Sequence, residues 1–137
     1  MIDLLFICQW NIARSQIAEW FAKKYFPTKK IESCWIDDVW YKYDFKCYLP
    51  AIEEMKKFWV DISKQKPKHI NKELVEKAKK IIVLCKESEC NNKFPDYLKK
   101  HKNVMFKEIV DPNKKNNKVL ENIILEIQKI VKSLKFN

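Results

Sequence analysis

The sequence predicts an α/β fold in which a parallel sheet carries helices on both faces. Short apolar runs alternate along the chain with segments that have apolar residues at helical spacing. The first run, residues 2–7, is almost continuously apolar, as in a strand buried on both faces. The last segment, residues 117–134, keeps an apolar stripe at the helical period along its whole length. Alternating strands and helices imply right-handed crossovers between parallel strands.

The elements that follow the first strand are predicted from local signals. Apolar residues recur at helical spacing over residues 15–25, and Pro27 ends this helix because proline cannot continue it. Residues 31–36 are a weaker strand candidate. The aromatic stretch 40–48 is expected to form a loop that covers a site.

Two helix starts occur in the middle of the chain. Pro50 opens a helix over residues 50–58, since proline is tolerated in the first helical turn. Asn71 can cap a helix over residues 72–79, and Glu73 places a negative charge in its first turn.

Two further strands complete the pattern. Residues 81–84 are the clearest strand in the chain and end on Cys85. A short helix near residues 95–100 leads to a strand around residues 104–109, which the Asp-Pro pair at 111–112 follows. In parallel sheets, ligands bind at the carboxyl ends of the strands, and Cys8, Cys85 and Asp111 all lie at or just after predicted strand ends.

Composition predicts one domain spanning residues 1–137. Hydrophobic residues make up 47% of the chain, which is enough for a core. No run approaches the ~20 apolar residues of a membrane span, and the N-terminus lacks the pattern of a signal peptide. The five cysteines, an odd number, indicate thiols in a reducing compartment. We therefore expect a cytoplasmic monomer without a membrane partner.

Positive charge is spread over nearly every segment. Lys and Arg outnumber Asp and Glu by 28 to 18, which gives a net charge of +10. Because no nucleic-acid-binding motif accompanies this charge, we interpret it as a solvated Lys-rich surface and expect no nucleic-acid partner. The positive field would still favour an anionic substrate.

A thiol and a guanidinium lie six positions apart between the first strand and the first helix. The N–H groups of such a turn have no intrahelical partner and the helix start is positive, so the turn can bind an oxyanion. Cys8 is expected to ionise readily there and act as nucleophile, with Ser15 bonding the thiolate. Arg14 can fork two donors onto a tetrahedral oxyanion. The predicted oxyanion-binding residues are Gln9, Trp10, Asn11, Ile12, Ala13 and Arg14. The alternative is a buried core cysteine followed by an arginine in a first helical turn.

Asp111 is a candidate general acid. An aspartate in this loop could protonate a leaving oxygen and then help water attack. Taken alone, the Asp-Pro pair is usually a turn; Cys8 and Arg14 at the same edge favour the catalytic interpretation.

Several motifs together match a known family: Cys8-x-x-Asn11-x-x-Arg14-Ser15-x-Ile17-Ala18-Glu19, Val60-Asp61-Ile62-Ser63, Pro67, Val83-Leu84-Cys85 and Val110-Asp111-Pro112. They resemble the low-molecular-weight protein tyrosine phosphatase superfamily and its thioredoxin-coupled arsenate reductases over nearly the whole chain. The resemblance implies a three-layer sandwich whose four-stranded parallel sheet has the order 2-1-3-4. The roles it implies are Cys8 as nucleophile, Arg14 as oxyanion clamp, Asp111 as general acid, and Asn11 and Ser33 as braces of the loop.

Three residues favour an arsenate reductase. Gln16 stands where tyrosine phosphatases of the family usually have proline, and Cys85 and Cys90 resemble the second and third thiols of the reductases. The resemblance implies that Cys8 attacks arsenate, Cys85 attacks the arsenylated Cys8, and Cys90 takes over the disulfide for reduction by a thioredoxin-like partner. No organic cofactor is implied. The spacing from Cys85 to Cys90 is shorter than in those reductases, and buried or spare surface thiols are the structural alternative for both.

Two other functions stay open. The stretch Trp40-Tyr41-Lys42-Tyr43 could grip a phosphotyrosine ring, which favours a protein tyrosine phosphatase acting on a phosphate ester through a phosphocysteine intermediate. The tyrosine pair that such phosphatases often carry after the Asp-Pro pair is absent. A non-catalytic oxyanion-binding regulatory module is the third hypothesis, and the intact set of Cys8, Arg14 and Asp111 argues against it.

Four residues also match positions that bind an alkali cation in some of the reductases: Asn11, Glu19, Ser33 and Asp61. A Cys-x4-Cys metal site at residues 85–90 lacks a second ligand pair nearby. We therefore expect no metal other than this possible alkali cation, and Glu19 and Asp61 could instead be structural carboxylates.

The chain contains no glycine, and its tryptophans stand where the family has glycine. The aligned positions are Trp10, Trp20, Trp35 and Trp59, and Trp40 lies in a loop where another glycine is plausible. Glycine allows positive φ and close approach of the backbone to an oxyanion, whereas an indole at position 10 would distort or cover the nest. We hypothesise that UGA codons read as glycine in the source have been rendered as tryptophan. The alternative is a true tryptophan-bearing variant, and the intact mass of the protein from its native host distinguishes the two.

Overall fold

A four-stranded parallel sheet with the strand order β2-β1-β3-β4 lies at the centre of the computed structural model. The structure describes residues 1–9, 14–36, 49–65, 68–86, 93–109 and 117–136. Its strands are β1 (Leu4–Cys8), β2 (Ile31–Trp35), β3 (Ile81–Val83) and β4 (Val104–Phe106). Its helices are α1 (Arg14–Tyr25), α2 (Leu49–Lys56), α3 (Lys72–Lys77), α4 (Asp96–Lys99) and α5 (Asn117–Lys132). The predicted fold class and strand order are thus confirmed.

Strand β1 is one of the two inner strands of the sheet. All five of its residues are buried, as its continuous apolar sequence predicts. It pairs with β2, where Cys8 is the partner of Trp35, and with β3, where Ile7 is the partner of Val83. The carboxyl end of β1, which carries Cys8, therefore lies between the carboxyl ends of two neighbouring strands.

The sheet separates two apolar cores. On one face, Phe6 and Leu84 pack with side chains from α1, α2 and α5. On the other face, Ile7 and Val83 pack with Val75 of α3 and Leu98 of α4. We call these the first and the second face of the sheet. Helices on both faces give the three layers that the sequence predicts.

Helix α3 shows where local signals predict the structure and where pairing alters it. Its cap is as predicted, since the Leu74 N–H donates to the Asn71 side chain at 2.8 Å. The helix ends at Lys77 and not at residue 79, because Ala78 turns to extended backbone and bridges to Ile2. The bridge between Ala78 and Ile2, which lies just before β1 in the sequence, thus shortens the helix.

Helix α2 ends in a Schellman motif, with a tryptophan at the position that favours glycine. The Val60 N–H bonds the Met55 carbonyl at 3.1 Å and the Trp59 N–H bonds the Lys56 carbonyl at 3.0 Å. Trp59 has φ 61°, the only positive φ in the described part of the chain. Its side chain is 96% exposed. The indole therefore adds little packing while its Cβ strains the backbone.

We expect Trp59→Gly to stabilise the protein. A non-glycine residue in the left-handed region costs about 1–2 kcal/mol, and the entropy cost of glycine offsets about half of this. The net gain of about 1 kcal/mol should raise the midpoint of thermal unfolding by about 3 °C, measured by circular dichroism. Trp20→Gly is the matched control, because glycine inside α1 should lower the midpoint. An unchanged or lower midpoint for Trp59→Gly would contradict the inference that the backbone is strained at this residue.

Among the described helices, none is both long and apolar enough to cross a membrane.

Candidate active site

The junction between β1 and α1 brings a thiol and a hydroxyl into contact. Strand β1 ends at Cys8 and helix α1 begins at Arg14, with Ser15 in its first turn. The Cys8 Sγ lies 3.0 Å from the Ser15 Oγ, and both residues are buried. In this geometry the Ser15 hydroxyl can donate a hydrogen bond to a Cys8 thiolate and so stabilise the charged sulfur.

Arg14 is held at the same junction by a backbone carbonyl from the segment after β4. Its Nη1 donates to the Ile109 carbonyl at 3.0 Å, which ties the start of α1 to the chain beyond β4. The side chain is only 5% exposed. Arg14 is the only arginine in the sequence, in which every other fixed positive side chain is lysine. Among the described residues, no carboxylate lies within ion-pair distance of it.

Cys85 lies at the same sheet edge as Cys8 but points the other way. The Leu84 N–H donates to the Ile7 carbonyl at 2.8 Å, so β3 keeps its pairing to β1 up to this point. Cys8 packs in the core of the first face, whereas Cys85 packs in the core of the second face. The two buried thiols are therefore close along the sheet with their side chains on opposite faces.

A third buried thiol, Cys34, was not anticipated from the sequence. It lies on β2, whose register pairs it with Ile7, and it packs in the second core. Burial raises the pKa of Cys34 far above its ordinary value, and the nearby Cys8 raises it further. Cys34 therefore stays a neutral thiol at physiological pH. The period of two along β2 would have placed it on a buried face, but nothing in its spacing relates it to Cys8.

Two of the four candidate cation ligands, Glu19 and Ser33, are hydrogen-bonded to each other, and Lys23 forms an ion pair with Glu19. The Ser33 hydroxyl donates to the Glu19 Oε1 at 3.1 Å, and the Lys23 ammonium lies 3.3 Å from the Glu19 Oε2. Asp61 is exposed and accepts from the Ser63 N–H at 2.9 Å. Hydrogen bonds from the side chain and the backbone N–H of Ser63 lower the pKa of the Asp61 carboxyl. In the described part of the chain, no group of three His, Cys, Asp or Glu side chains is arranged to hold a metal ion.

Gln16 has a structural role beside the site. The Gln65 Nε2 donates to the Gln16 backbone carbonyl at 3.0 Å and to its Oε1 at 2.6 Å. Since Gln16 is buried, this pair of bonds fastens the first turn of α1 to the segment after α2. Gln65 is a second residue that the sequence did not single out, because the pairing spans distant parts of the chain.

Several predicted site residues lie outside the described residues. They are Trp10, Asn11, Ile12 and Ala13 of the loop, the aromatic stretch 40–43, Cys90 and Asp111. Gln9 is described and is partly buried. The described part of the candidate site is thus the pair Cys8 and Ser15, the anchored Arg14, and Cys85 on the second face of the sheet.

Comparison with known proteins gives a family and a set of folds. The family model described as low molecular weight phosphotyrosine protein phosphatase matches residues 3–136. An arsenate reductase of Halalkalibacterium halodurans is 32% identical over 87 residues, which cover 60% of this chain and 55% of that protein. The chain thus aligns with about half the length of this relative.

Solved structures share the fold at low sequence identity. Erwinia amylovora tyrosine phosphatase AmsI has a TM-score of 0.82 at 18% identity, with 96% of this chain and 90% of that chain covered. Vibrio vulnificus Wzb in complex with benzylphosphonate has a TM-score of 0.80 at 20% identity, with 96% and 95% covered. An arsenate reductase in the oxidized state has a TM-score of 0.79 at 22% identity, with 98% and 96% covered.

Proposed function

The chain belongs to the low molecular weight phosphotyrosine protein phosphatase family, and from this premise we propose that it is a thiol-dependent arsenate reductase. Cys8 is the nucleophile, Arg14 and the backbone of the loop 9–14 bind the oxyanion, and Asp111 is the general acid. Cys85 and Cys90 carry the disulfide to a thioredoxin-like dithiol protein. No organic cofactor is needed.

The observation that carries this proposal is a buried arginine beside a buried thiol. Burying a charge without a partner is costly, and Arg14 has no carboxylate partner among the described residues. A bound oxyanion would supply a negative charge to pair with this guanidinium. Arg14 presents five N–H donors, of which the bond to Ile109 uses one. The fork can therefore still bind two oxygens of arsenate or phosphate.

The first step forms a bond between sulfur and arsenic. The Cys8 thiolate, bonded by the Ser15 hydroxyl, attacks arsenic(V), and one As–O bond breaks. Asp111 protonates the departing oxygen, which leaves as water. Arg14 stabilises the charge on the remaining oxygens during this exchange.

The second step reduces arsenic by two electrons. A Cys85 thiolate attacks the Cys8 Sγ, an S–S bond forms, and the S–As bond breaks with its electron pair left on arsenic, which leaves as arsenite. The two sulfurs are oxidised to a disulfide as arsenic is reduced. Cys90 then displaces Cys8 from Cys85 by thiol–disulfide exchange, and the external dithiol reduces the new disulfide.

This relay requires the Cys85 side chain to move from the second face of the sheet to the first, because Cys8 packs on the first face. The end of β3 supports such a movement because the strand proper stops at Val83. The Leu84 N–H bond to Ile7 and the Ile109 N–H bond to Leu84 would have to break or shift. Arg14 bonds the carbonyl of the same Ile109. The movement would therefore also shift the guanidinium that binds the oxyanion.

Phosphatase activity through a phosphocysteine is the second candidate function. The opposite orientation of Cys85 favours it, because hydrolysis of a phosphate ester needs no second thiol. Cys8, Ser15, Arg14 and Asp111 would serve both reactions, since arsenate and phosphate are both tetrahedral oxyanions.

The two functions separate in paired assays. Arsenate-dependent oxidation of thioredoxin and hydrolysis of p-nitrophenyl phosphate are measured on the wild type and on Cys85→Ser. We expect wild-type arsenate reduction to be abolished by Cys85→Ser, with any hydrolysis retained. Cys34→Ser is the matched control, because it removes another buried thiol from the same core, and it should retain both activities. Hydrolysis that survives Cys85→Ser, with no arsenate reduction by the wild type, would make the protein a phosphatase.

A further inference from the structure

A cleft of about 700 Å³ lies between α3 and α4 on the second face of the sheet. Tyr97 contributes accessible apolar surface to it above the fully buried Val75, and lysines 72, 79, 100 and 102 line it as well. The sheet separates this cleft from the Cys8 side chain, which packs on the first face. Its volume is in the range of small-molecule sites, about 300–1,000 Å³.

The floor of the cleft is fixed by hydrogen bonds. The His101 Nδ1 accepts from the Asn103 N–H at 3.1 Å, so its Nε2 carries the proton and donates to the Ala78 carbonyl at 2.8 Å. The Asn103 side chain donates to the Lys79 carbonyl at 3.1 Å. These bonds join the ends of α3 and α4 to the starts of β3 and β4. The cleft is therefore formed before any ligand binds.

Four lysines line this cleft against two carboxylates, Glu76 and Asp96, so positive charge is in excess around it. Lys72 lies 3.7 Å from Glu76 and Lys79 lies 3.4 Å from Asp3. Lys100 and Lys102 have no carboxylate within ion-pair distance in the described part of the chain. A smaller cleft of about 240 Å³ shares Lys79 and Asn103 with the first.

The smaller cleft extends the positive field along the amino edge of the sheet. Lys29, Lys80 and Lys135 line it, opposed by Asp3. The residues just before strands β1, β3 and β4 are Asp3, Lys80 and Asn103, so this edge is opposite to the one that holds Cys8. The field is thus a second positive region, distinct from Arg14.

We propose that the cleft between α3 and α4 binds a small molecule that carries a phosphate group and an apolar portion of nucleotide size. Lysine ammonium groups bind phosphate as point charges and tolerate different orientations of it. Lys100 and Lys102 bind the phosphate, and the partly exposed Tyr97 contacts the apolar portion. The cleft is concave and preformed, which favours a small ligand over a flat macromolecular surface.

Residue-resolved NMR titration tests this site separately from Cys8. AMP is titrated into ¹⁵N-labelled protein carrying Cys8→Ser, which prevents turnover, and amide shifts are followed. We expect saturable shifts at Val75, Tyr97 and Asn103, apart from any at Gln9 and Arg14. Inorganic phosphate and adenosine should each bind more weakly there than AMP.

Charge removal at the cleft supplies the matched comparison. The double variant Lys100→Gln with Lys102→Gln should weaken AMP binding at these amides about tenfold, or about 1.4 kcal/mol. Lys56→Gln with Lys129→Gln, which removes two exposed lysines from α2 and α5, should leave it unchanged. Shifts confined to Gln9 and Arg14, or equal affinity in the two double variants, would overturn the proposal.

Discussion

Replacing Cys8 with serine should lower turnover of any oxyanion substrate by roughly 10³-fold or more, as expected when a catalytic nucleophile is lost. The serine oxygen would occupy the sulfur position beside Ser15, but at neutral pH a hydroxyl ionises far less readily than a thiol. Arsenate reduction and p-nitrophenyl phosphate hydrolysis both start at this atom and should be lost together. Steady-state rates of both reactions measure the effect.

The control for this variant is a buried thiol that the reaction does not use. Cys34→Ser alters a neighbouring strand at full burial and should leave both rates near the wild-type values. Circular dichroism spectra should match for all three proteins. A Cys8→Ser protein that keeps most of either activity would exclude Cys8 as the nucleophile.

Arg14→Lys should lower kcat/KM by about 10²–10³-fold, the size of effect seen when a preorganised charge stabiliser is removed. Lysine keeps the positive charge but cannot bind two oxygens in one plane. It also cannot bond the Ile109 carbonyl and an oxyanion in the same fork geometry. The measurement is kcat/KM for the faster of the two substrates, with the phosphate inhibition constant as a second readout.

The control for Arg14→Lys is a conservative change in the same turn. Gln16→Asn removes the bond from Gln65 to the Gln16 side chain, near the start of α1, and leaves the guanidinium of Arg14 in place. It should lower stability more than kcat/KM. If Arg14→Lys retained kcat/KM within about twofold, the buried guanidinium would not be stabilising the transition state.

The architecture was predictable because its signals are local or periodic. The continuous apolar sequence of β1 and the Asn71 cap each determine one element, and alternation of strands and helices determines the parallel sheet. The last turn of α3 was predicted two residues too long, since its end depends on the bridge between Ala78 and Ile2. Element ends of this kind depend on partners distant in sequence.

The site was predictable only in part, because side-chain orientation depends on strand register. Cys8 and Cys85 could be assigned to one sheet edge from their positions after strands. Their opposite faces follow from the pairing of Ile7 with Val83, which no local signal encodes. The anchor of Arg14 on Ile109 and the burial of Cys34 are likewise products of tertiary pairing.

The hypothesis that the tryptophans stand for glycines receives different support at the three described positions, Trp20, Trp35 and Trp59. Trp35 is buried and packs edge-on against His69 with ring centroids 5.5 Å apart. Trp20 packs edge-on against Phe21 at 5.5 Å, with the Lys24 ammonium 5.3 Å from its ring. Only Trp59 has the backbone conformation that favours glycine in this part of the chain. Trp59 therefore carries the structural support for the hypothesis, while Trp10 and Trp40 lie outside the described residues.

Trapping the disulfide between Cys8 and Cys85 tests the proposed reductase most directly. The Cys90→Ser protein is treated with one equivalent of arsenate, alkylated without reduction, digested and analysed by mass spectrometry, with arsenite measured in parallel. We predict a peptide pair linked through Cys8 and Cys85 and one arsenite released per disulfide. Recovery of both cysteines as alkylated thiols, with no arsenite, would contradict the relay and leave Cys8 as the nucleophile of a phosphatase.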